Sequence, residues 1–117
     1  MSKTAIVIDD DIEFVDIFSQ LLEEANTDVV GKGHNGKEAI DLFKEKNPNF
    51  VFIDLNMPDG TGFHAIRNIK KIDESAKIIA VTGKNDFSTQ GKLQKLDIHG
   101  FIHKPVDMNK IIELIEN

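Results

Sequence analysis

Short apolar runs rich in β-branched residues alternate along this chain with stretches whose apolar residues recur at helical spacing. The runs predict strands that are buried on both faces, because they show no polar alternation. They are AIVI (5–8), DVV (28–30), FVFI (50–53), KIIAVT (77–82) and GFIH (100–103). Parallel strands need crossover connections, which helices supply. The alternation therefore predicts an α/β fold, with helices on both faces of a five-stranded parallel sheet.

Four of the intervening stretches carry an apolar stripe and are predicted to be helices. The second opens at Asn35-Gly36, and Asp107 is the predicted N-cap of the last. The stripes consist of Phe14, Ile17, Phe18, Leu21, Leu22 and Ala25 in residues 12–25, then Ala39, Ile40 and Phe43, then Phe63, Ile66 and Ile69, and finally Met108, Ile111, Ile112 and Ile115. A fifth helix over residues 87–97 is predicted to be weak, because Gly91 at its centre costs about 1 kcal/mol relative to alanine.

Composition limits the class of protein. The chain has 117 residues, 40% hydrophobic and 29% charged, which predicts one globular domain over residues 1–117 with no output domain after the last helix. A net charge of -6 argues against a basic nucleic-acid-binding surface. No apolar run approaches the roughly 18 residues of a membrane helix, and three aspartates near the start exclude a signal peptide. The absence of cysteine fits a reducing compartment, and we expect a cytoplasmic protein.

Polar residues at the ends of the predicted strands should meet at one edge of the sheet. Parallel strands direct their carboxyl ends to the same edge, and open sheets of this kind bind ligands there. The residues are Asp9, Asp10 and Asp11 after the first strand, Asp54 after the third, Thr82 and Gly83 at the end of the fourth, and Lys104 after the fifth. The sequence thus predicts that carboxylates, a hydroxyl and an ammonium group gather at this edge.

Taken singly, each of these residues has an ordinary explanation. Asp11 is typical of a helix N-cap, Thr82 of a β-branched strand residue, and Lys104 of a solvated lysine at a turn. Asp54 alone fits a polar loop residue as well as a functional acid. Together they are harder to explain, because gathering like charges costs free energy unless a cation or a function compensates.

The charges of this group indicate what it could bind. Asp9, Asp10 and Asp54 contribute roughly -3 and Lys104 roughly +1, so a divalent cation would bring the group to about neutral. Carboxylates suit Mg²⁺, and Mn²⁺ is an acceptable substitute. Phosphorylation of Asp54 would replace its charge of about -1 by about -1.5 to -2, which the metal, Lys104 and Thr82 could accommodate.

Four separated motifs resemble the response regulator receiver domain of two-component signalling. They are IVIDDD after the first strand, DLNMPDGTG after the third, VTG after the fourth and FIHKP at the fifth. The resemblance spans essentially the whole chain and keeps the order and spacing of the motifs. It implies a flavodoxin-like (βα)5 three-layer sandwich with strand order 2-1-3-4-5.

The resemblance also implies a role for each site residue. Asp54 would be the phospho-acceptor that attacks a phosphohistidine of a partner, and Lys104 would bridge Asp54 and then the phosphoryl group. Asp10 would bind Mg²⁺ directly together with Asp54, Asp9 through water, and Asn56 through its backbone carbonyl. The Thr82 hydroxyl would bond a phosphoryl oxygen once the group arrives.

A conformational switch is also implied. Phe101 stands where the family usually carries an aromatic residue that turns inward when Thr82 moves, although an ordinary core phenylalanine is the alternative. Gly83 would keep the entrance open, and Lys84 and Asn56 would tune the lifetime of the aspartyl phosphate. The responding surface would comprise the segment 87–97, the strand 100–103 and the last helix.

The implied partners are a sensor histidine kinase or a histidine phosphotransfer protein, and a downstream protein or linked output domain. The protein would be a monomer or a phosphorylation-dependent dimer. It would not be a classical enzyme, although it would catalyse its own phosphorylation and dephosphorylation. Two alternatives remain. One is an interaction module that is never phosphorylated, and the other is a small phosphatase with an aspartate nucleophile, since Asp9-x-Asp11 is similar to the haloacid-dehalogenase motif.

Overall fold

The computed structural model describes residues 3–58, 61–83 and 97–116, which form one parallel sheet covered by helices. The sheet has the strand order β2-β1-β3-β4-β5. Its strands are β1 (Lys3–Ile8), β2 (Thr27–Gly33), β3 (Phe50–Ile53), β4 (Lys77–Thr82) and β5 (Gly100–His103), and the helices are α1 (Ile12–Glu24), α2 (Gly36–Lys46), α3 (Thr61–Ile72) and α4 (Met108–Glu116). The predicted α/β fold and strand order are confirmed. The weak helix predicted over 87–97 lies, except for Asp97, outside the described residues.

Two apolar cores lie on opposite faces of the sheet, and the central strand β3 contributes to both. Phe50 and Phe52 pack into the core that α1 and α4 cover, whereas Val51 and Ile53 pack into the core under α2 and α3. All four side chains are buried. The uninterrupted apolar run in this strand is therefore explained by helices on both sides of it.

The register of the strands determines which polar residues become neighbours. Ile8 at the end of β1 pairs with Ile53 at the end of β3, so the aspartates that follow them leave the sheet side by side. Thr82 at the end of β4 likewise pairs with His103 at the end of β5. The strands β2, β1 and β3 thus end level with one another, and β4 and β5 end together two residues beyond β3.

Polar side chains fix the points where helices begin. Asp11 Oδ1 accepts a hydrogen bond from the Phe14 main-chain N–H at 3.1 Å, which makes Asp11 the N-cap of α1. Asn35 caps α2 in the same way, by accepting from Glu38 N at 2.9 Å. Each cap satisfies a main-chain donor that the first helical turn leaves without a partner. The predicted opening of the second helix at Asn35-Gly36 is confirmed.

The helices α2 and α3 touch closely at their first residues. The Gly36 N–H donates to Thr61 Oγ1 at 2.7 Å, and a Cβ atom on Gly36 would lie only 2.5 Å from the Thr61 carbonyl oxygen. This contact needs glycine for space, and it joins the starts of two helices next to the acidic edge. Among the residues that the structure describes, no helix has the length and apolar character needed to cross a membrane.

Candidate functional site

Main-chain hydrogen bonds extend the sheet by one step into the acidic edge. Asp54 N donates to Ile8 O at 2.9 Å, and Lys104 N donates to Thr82 O at 2.8 Å. Asp9 N donates to Gly33 O at 3.1 Å. Each of these three polar residues is therefore held by the last residue of a neighbouring strand, which places their side chains on a rigid support.

Three carboxylates converge at this edge, as the sequence predicted for the strand ends. Asp9, Asp10 and Asp54 each offer a carboxylate oxygen, and these oxygens lie within 4.8 Å of one another. Asp9 and Asp54 are buried, with 1% and 5% exposure, whereas Asp10 is exposed. Hard oxygen donors at this spacing, open to solvent on one side, fit a Mg²⁺ ion that keeps several of its waters.

The ammonium group of Lys104 lies between two of the acids but is closer to one of them. Its Nζ atom is 2.7 Å from Asp9 Oδ2 and 3.7 Å from Asp54 Oδ2. It also lies 4.2 Å from the centre of the Phe14 ring, whose π-face attracts a cation. The expected pairing with Asp54 is thus present only as a longer ion pair, and the hydrogen bond is made to Asp9.

Burial raises the pKa of Asp54 above the ordinary value of 3.8, because the carboxylate loses hydration. The hydrogen bond from the Asn56 main-chain N–H to Asp54 Oδ1, at 2.9 Å, opposes the rise. Of the nearby charges, Asp9 and Asp10 raise this pKa and Lys104 lowers it. The pKa of Asp54 is therefore raised mainly by loss of hydration, and such shifts are common among carboxyl groups at functional sites.

The hydroxyl group of Thr82 lies in the same site. Thr82 is fully buried, and its Oγ1 accepts a hydrogen bond from the Asn56 side-chain amide. The metal-binding role of the Asn56 backbone carbonyl stays a prediction. The contact between the Asn56 side chain and Thr82 was not predicted.

Of the remaining predicted site residues, Gly83 directly follows Thr82 in sequence, and Phe101 lies three residues before Lys104. Among the residues that the structure describes, a Cβ atom on Gly83 would meet only Lys104 Cδ, at an ordinary contact distance of 3.9 Å. Phe101 is half-buried and its ring packs edge-on against His103, with ring centres 4.5 Å apart. Lys84 lies outside the described residues.

One residue at the edge was missed by the sequence analysis. His34 follows β2, and its Nδ1 atom lies 3.0 Å from the carbonyl oxygen of Asp9. The signal that could have found His34 is its position after the strand adjacent to β1, because that places it at the same edge as the acids.

Known proteins match the chain along nearly its whole length. The family model of the response regulator receiver domain matches residues 5–116. The chemotaxis protein CheY of Thermotoga maritima is 30% identical over 115 residues, which cover 98% of this chain and 96% of that protein. A response regulator receiver domain protein from Clostridium thermocellum superposes with a TM-score of 0.89 at 26% identity, over 98% of this chain and 92% of that one.

A more distant structure shares the fold. A chain in the CheX–CheY–BeF3–Mg²⁺ complex from Borrelia burgdorferi superposes with a TM-score of 0.87, over 97% of this chain and 86% of that one. At 22% identity this likeness shows the fold alone.

Proposed function

Because this chain belongs to the response regulator receiver domain family of two-component signalling, we propose that Asp54 accepts a phosphoryl group from a phosphohistidine. The donor would be a sensor histidine kinase or a histidine phosphotransfer protein. The observation that carries this proposal is the position of Asp54, which is buried at a strand end beside Asp9 and Asp10 and within ion-pair distance of Lys104. A carboxylate so placed can act as a nucleophile if positive charge compensates the incoming phosphoryl oxygens.

In the proposed reaction a carboxylate oxygen of Asp54 attacks phosphorus while the bond to the imidazole nitrogen of the donor breaks. The imidazole then takes up a proton, and Asp54 becomes an acyl phosphate. In the later hydrolysis water attacks phosphorus, the bond between phosphorus and the Asp54 oxygen breaks, and inorganic phosphate and the free carboxylate are released. Both steps are helped by groups of the receiver itself, which is therefore not a classical enzyme but promotes its own modification.

Asp10, Asp54 and the backbone carbonyl of Asn56 would hold Mg²⁺ directly, and Asp9 would hold it through water. When bound, Mg²⁺ or Mn²⁺ supplies positive charge for the phosphoryl oxygens. The donor set supports this assignment, because it consists of oxygens alone and carries excess negative charge.

Lys104 and Thr82 would receive the phosphoryl group. The ammonium group of Lys104 lies within 3.7 Å of Asp54 Oδ2, which leaves it within reach of an added phosphoryl oxygen. The Thr82 hydroxyl accepts from the Asn56 amide, and a hydroxyl can accept and donate at the same time. A small movement of Thr82 toward the phosphoryl group would complete the site.

That movement is the proposed start of the conformational switch. The half-buried ring of Phe101 would turn inward, and the surface formed by residues 87–97, β5 and α4 would change its shape. A preference of about 1.4 kcal/mol for the switched state shifts the population tenfold. Gly83, Lys84 and Asn56 would set the access of water and thereby the lifetime of the acyl phosphate.

The switched surface would signal to a downstream protein or a linked output domain, and not directly to nucleic acid or to a membrane. The net charge of -6 supports this part of the proposal. A single receiver domain over residues 1–117, a monomer or phosphorylation-dependent dimer, and a cytoplasmic location stay predictions.

Incubation with Mg²⁺ and a small acyl phosphate, followed by intact-mass measurement, tests the proposal. We expect one added phosphoryl group on the wild-type protein and none on Asp54→Asn or after chelation of the metal. An adduct that persists in Asp54→Asn would exclude Asp54 as the acceptor. The absence of any adduct would favour an unphosphorylated interaction module, and sustained turnover of a phosphomonoester by Asp54→Asn would favour a phosphatase.

A further inference from the structure

The main chain of Asp9 is held on both sides by two consecutive residues at the end of β2. Its N–H donates to Gly33 O at 3.1 Å, which continues the hydrogen bonding of the sheet. Its carbonyl oxygen lies 3.0 Å from Nδ1 of the next residue, His34. A carbonyl oxygen can only accept, so Nδ1 must carry a proton and donate it. This holds for the neutral ring and for the charged ring alike.

The helix α2 in turn holds His34. The His34 main-chain N–H donates to Glu38 Oε1 at 2.7 Å, while the Glu38 N–H donates to the capping oxygen of Asn35 at 2.9 Å. Glu38 is thus bonded to both residues that precede α2. The main chain of His34 is therefore anchored to a helix end, and the residue is half-buried.

The side chain of Asp9 is also fully engaged. Its Oδ1 atom accepts from Asp11 N at 3.0 Å, and its Oδ2 atom accepts from Lys104 Nζ at 2.7 Å. The carbonyl group of Asp9 and the N–H group of Asp10 belong to one rigid peptide plane. The bond from His34 therefore fixes the orientation of the plane from which Asp10 departs.

The position of the Asp10 carboxylate depends on the orientation of this peptide plane more than the positions of the other two carboxylates do. Asp54 is buried and its side chain accepts from the Asn56 main chain, whereas Asp10 is exposed. An exposed side chain is directed chiefly by its own backbone, so a tilt of the Asp9–Asp10 peptide would move the Asp10 carboxylate away from Asp54. Partners that orient metal ligands typically change metal affinity by about 10- to 100-fold when they are removed.

We propose that His34 is a positioning residue for the divalent cation: its Nδ1–H group orients the Asp9–Asp10 peptide so that the Asp10 carboxylate faces Asp54. This inference rests on the proposed binding of Mg²⁺ at the three acids. It adds β2 and the cap of α2 to the elements that build the site.

Calorimetric titration with Mg²⁺ of the wild-type protein, His34→Ala, His34→Asn and His64→Ala tests the proposal. We expect His34→Ala to bind Mg²⁺ about tenfold more weakly. Asparagine places an N–H donor near the position of Nδ1, so His34→Asn should recover most of the affinity. His64→Ala is the matched control, because His64 is exposed on α3, and it should bind as the wild type does. Thermal unfolding of each variant in a chelator separates lost affinity from lost stability.

The outcomes distinguish this inference from the proposed function. Equal Mg²⁺ affinity of His34→Ala and the wild type would overturn the role of His34 and leave phosphorylation of Asp54 intact. Weakening of His34→Ala without recovery in His34→Asn would also overturn it, because the loss would then come from packing. A wild-type protein that binds no Mg²⁺ would overturn both.

A measurement on the wild-type protein alone provides a second test that does not depend on the folding of a variant. Nitrogen chemical shifts of the neutral His34 ring identify which nitrogen carries the proton. We expect the proton on Nδ1. A proton on Nε2 would place an acceptor against the Asp9 carbonyl oxygen and would overturn the proposal.

Discussion

The ammonium nitrogen of Lys104 lies 2.7 Å from Asp9 Oδ2, so the cation expected to meet a phosphoryl group is hydrogen-bonded to a neighbouring acid. Asp54 lies farther away, at 3.7 Å. A divalent cation that binds the acids would compete with Lys104 for this carboxylate. The same competition would release the ammonium group toward Asp54, which relates metal binding to the readiness of the site for phosphorylation.

Lys104→Met should therefore bind Mg²⁺ more tightly than the wild type, even though it should be a poorer phospho-acceptor. Two like charges about 4 Å apart repel by about 1 to 4 kcal/mol between bulk water and a protein surface, so we expect roughly tenfold tighter binding. Without metal, the unpaired buried carboxylate of Asp9 should lower the free energy of unfolding by about 1–3 kcal/mol. Calorimetric titration and urea unfolding measure the two effects.

Lys32→Met is the control for this substitution. Lys32 pairs with Asp16 at 3.2 Å on the surface, where both side chains are about half exposed. Such pairs contribute about 0–1 kcal/mol, so stability and Mg²⁺ affinity should change little. Weaker Mg²⁺ binding by Lys104→Met would contradict the competition described above.

Asp54→Asn should be more stable than the wild type at neutral pH when metal is chelated. Burial raises the pKa of Asp54, so the folded protein holds this proton more tightly than the unfolded chain does. The corresponding contribution to stability is present in acid and is lost as pH rises through the raised pKa. The gain from Asp54→Asn should therefore shrink as pH falls toward the ordinary pKa of 3.8. Urea unfolding across this pH range measures it.

Asp73→Asn tests a carboxyl group whose pKa is shifted in the opposite direction, downward. Ser75 donates to Asp73 Oδ1 from its hydroxyl at 2.6 Å and from its main-chain N–H at 2.9 Å, and these bonds lower the pKa of this surface carboxyl group. Removing its charge should reduce stability slightly at neutral pH, and the difference should vanish in acid.

An Asp54→Asn protein that is less stable than the wild type at neutral pH would contradict burial as the dominant cause of the raised pKa of Asp54.

Gly62→Ala should destabilise the fold and disturb Asp54, whereas Gly83→Ala should leave the stability of the fold unchanged. A Cβ atom on Gly62 would lie 2.7 Å from the Asp54 carbonyl oxygen and 3.1 Å from Leu55 Cα, both of which are main-chain atoms that cannot move aside cheaply. Overpacking of this kind costs about 1–3 kcal/mol. On Gly83 the nearest contact with a described residue is an ordinary 3.9 Å to the Lys104 side chain. Urea unfolding distinguishes the pair, and equal stability of the two variants would contradict the contacts.

Thr27→Val should stabilise the protein by about 1 kcal/mol, because it removes a buried hydroxyl group that lacks a hydrogen-bond partner among the described residues. Valine keeps the branched shape that fits the strand. Thr4→Val is the matched control, since Thr4 Oγ1 accepts from Asn49 N at 3.1 Å, and its loss should lower stability by about 0.5–1.5 kcal/mol. Thermal unfolding measures both, and a destabilised Thr27→Val would show that its hydroxyl group is satisfied.

The meeting of polar residues at one edge was predictable from the sequence, because parallel strands direct their carboxyl ends to the same edge of the sheet. Asp9, Asp54 and Thr82 follow apolar runs, and their meeting at one edge required no knowledge of side-chain conformation. The sequence does not reveal in this way that Lys104 hydrogen-bonds to Asp9 and not to Asp54. Nor does it reveal that His34 contacts a main-chain carbonyl oxygen. These contacts depend on differences of about an ångström between atoms of residues far apart in sequence, such as 2.7 Å and 3.7 Å from Lys104 Nζ to Asp9 and Asp54, and hydrophobic periodicity is insensitive to these differences.

The main-chain hydrogen bonds that extend the sheet into the site do not hold all of its residues equally firmly. Asp54 is tied to β1 in the middle of the sheet, whereas Lys104 is tied to β4 from β5, which is an edge strand with one neighbour. Edge elements open at lower free energy than central ones, so the Lys104 amide should exchange with solvent sooner than that of Asp54. A chain opened only at β5 would keep its acids assembled and its metal bound, yet it would have lost the lysine. On the proposed function, Mg²⁺ binding and phosphorylation of Asp54 should therefore be lost separately when β5 opens.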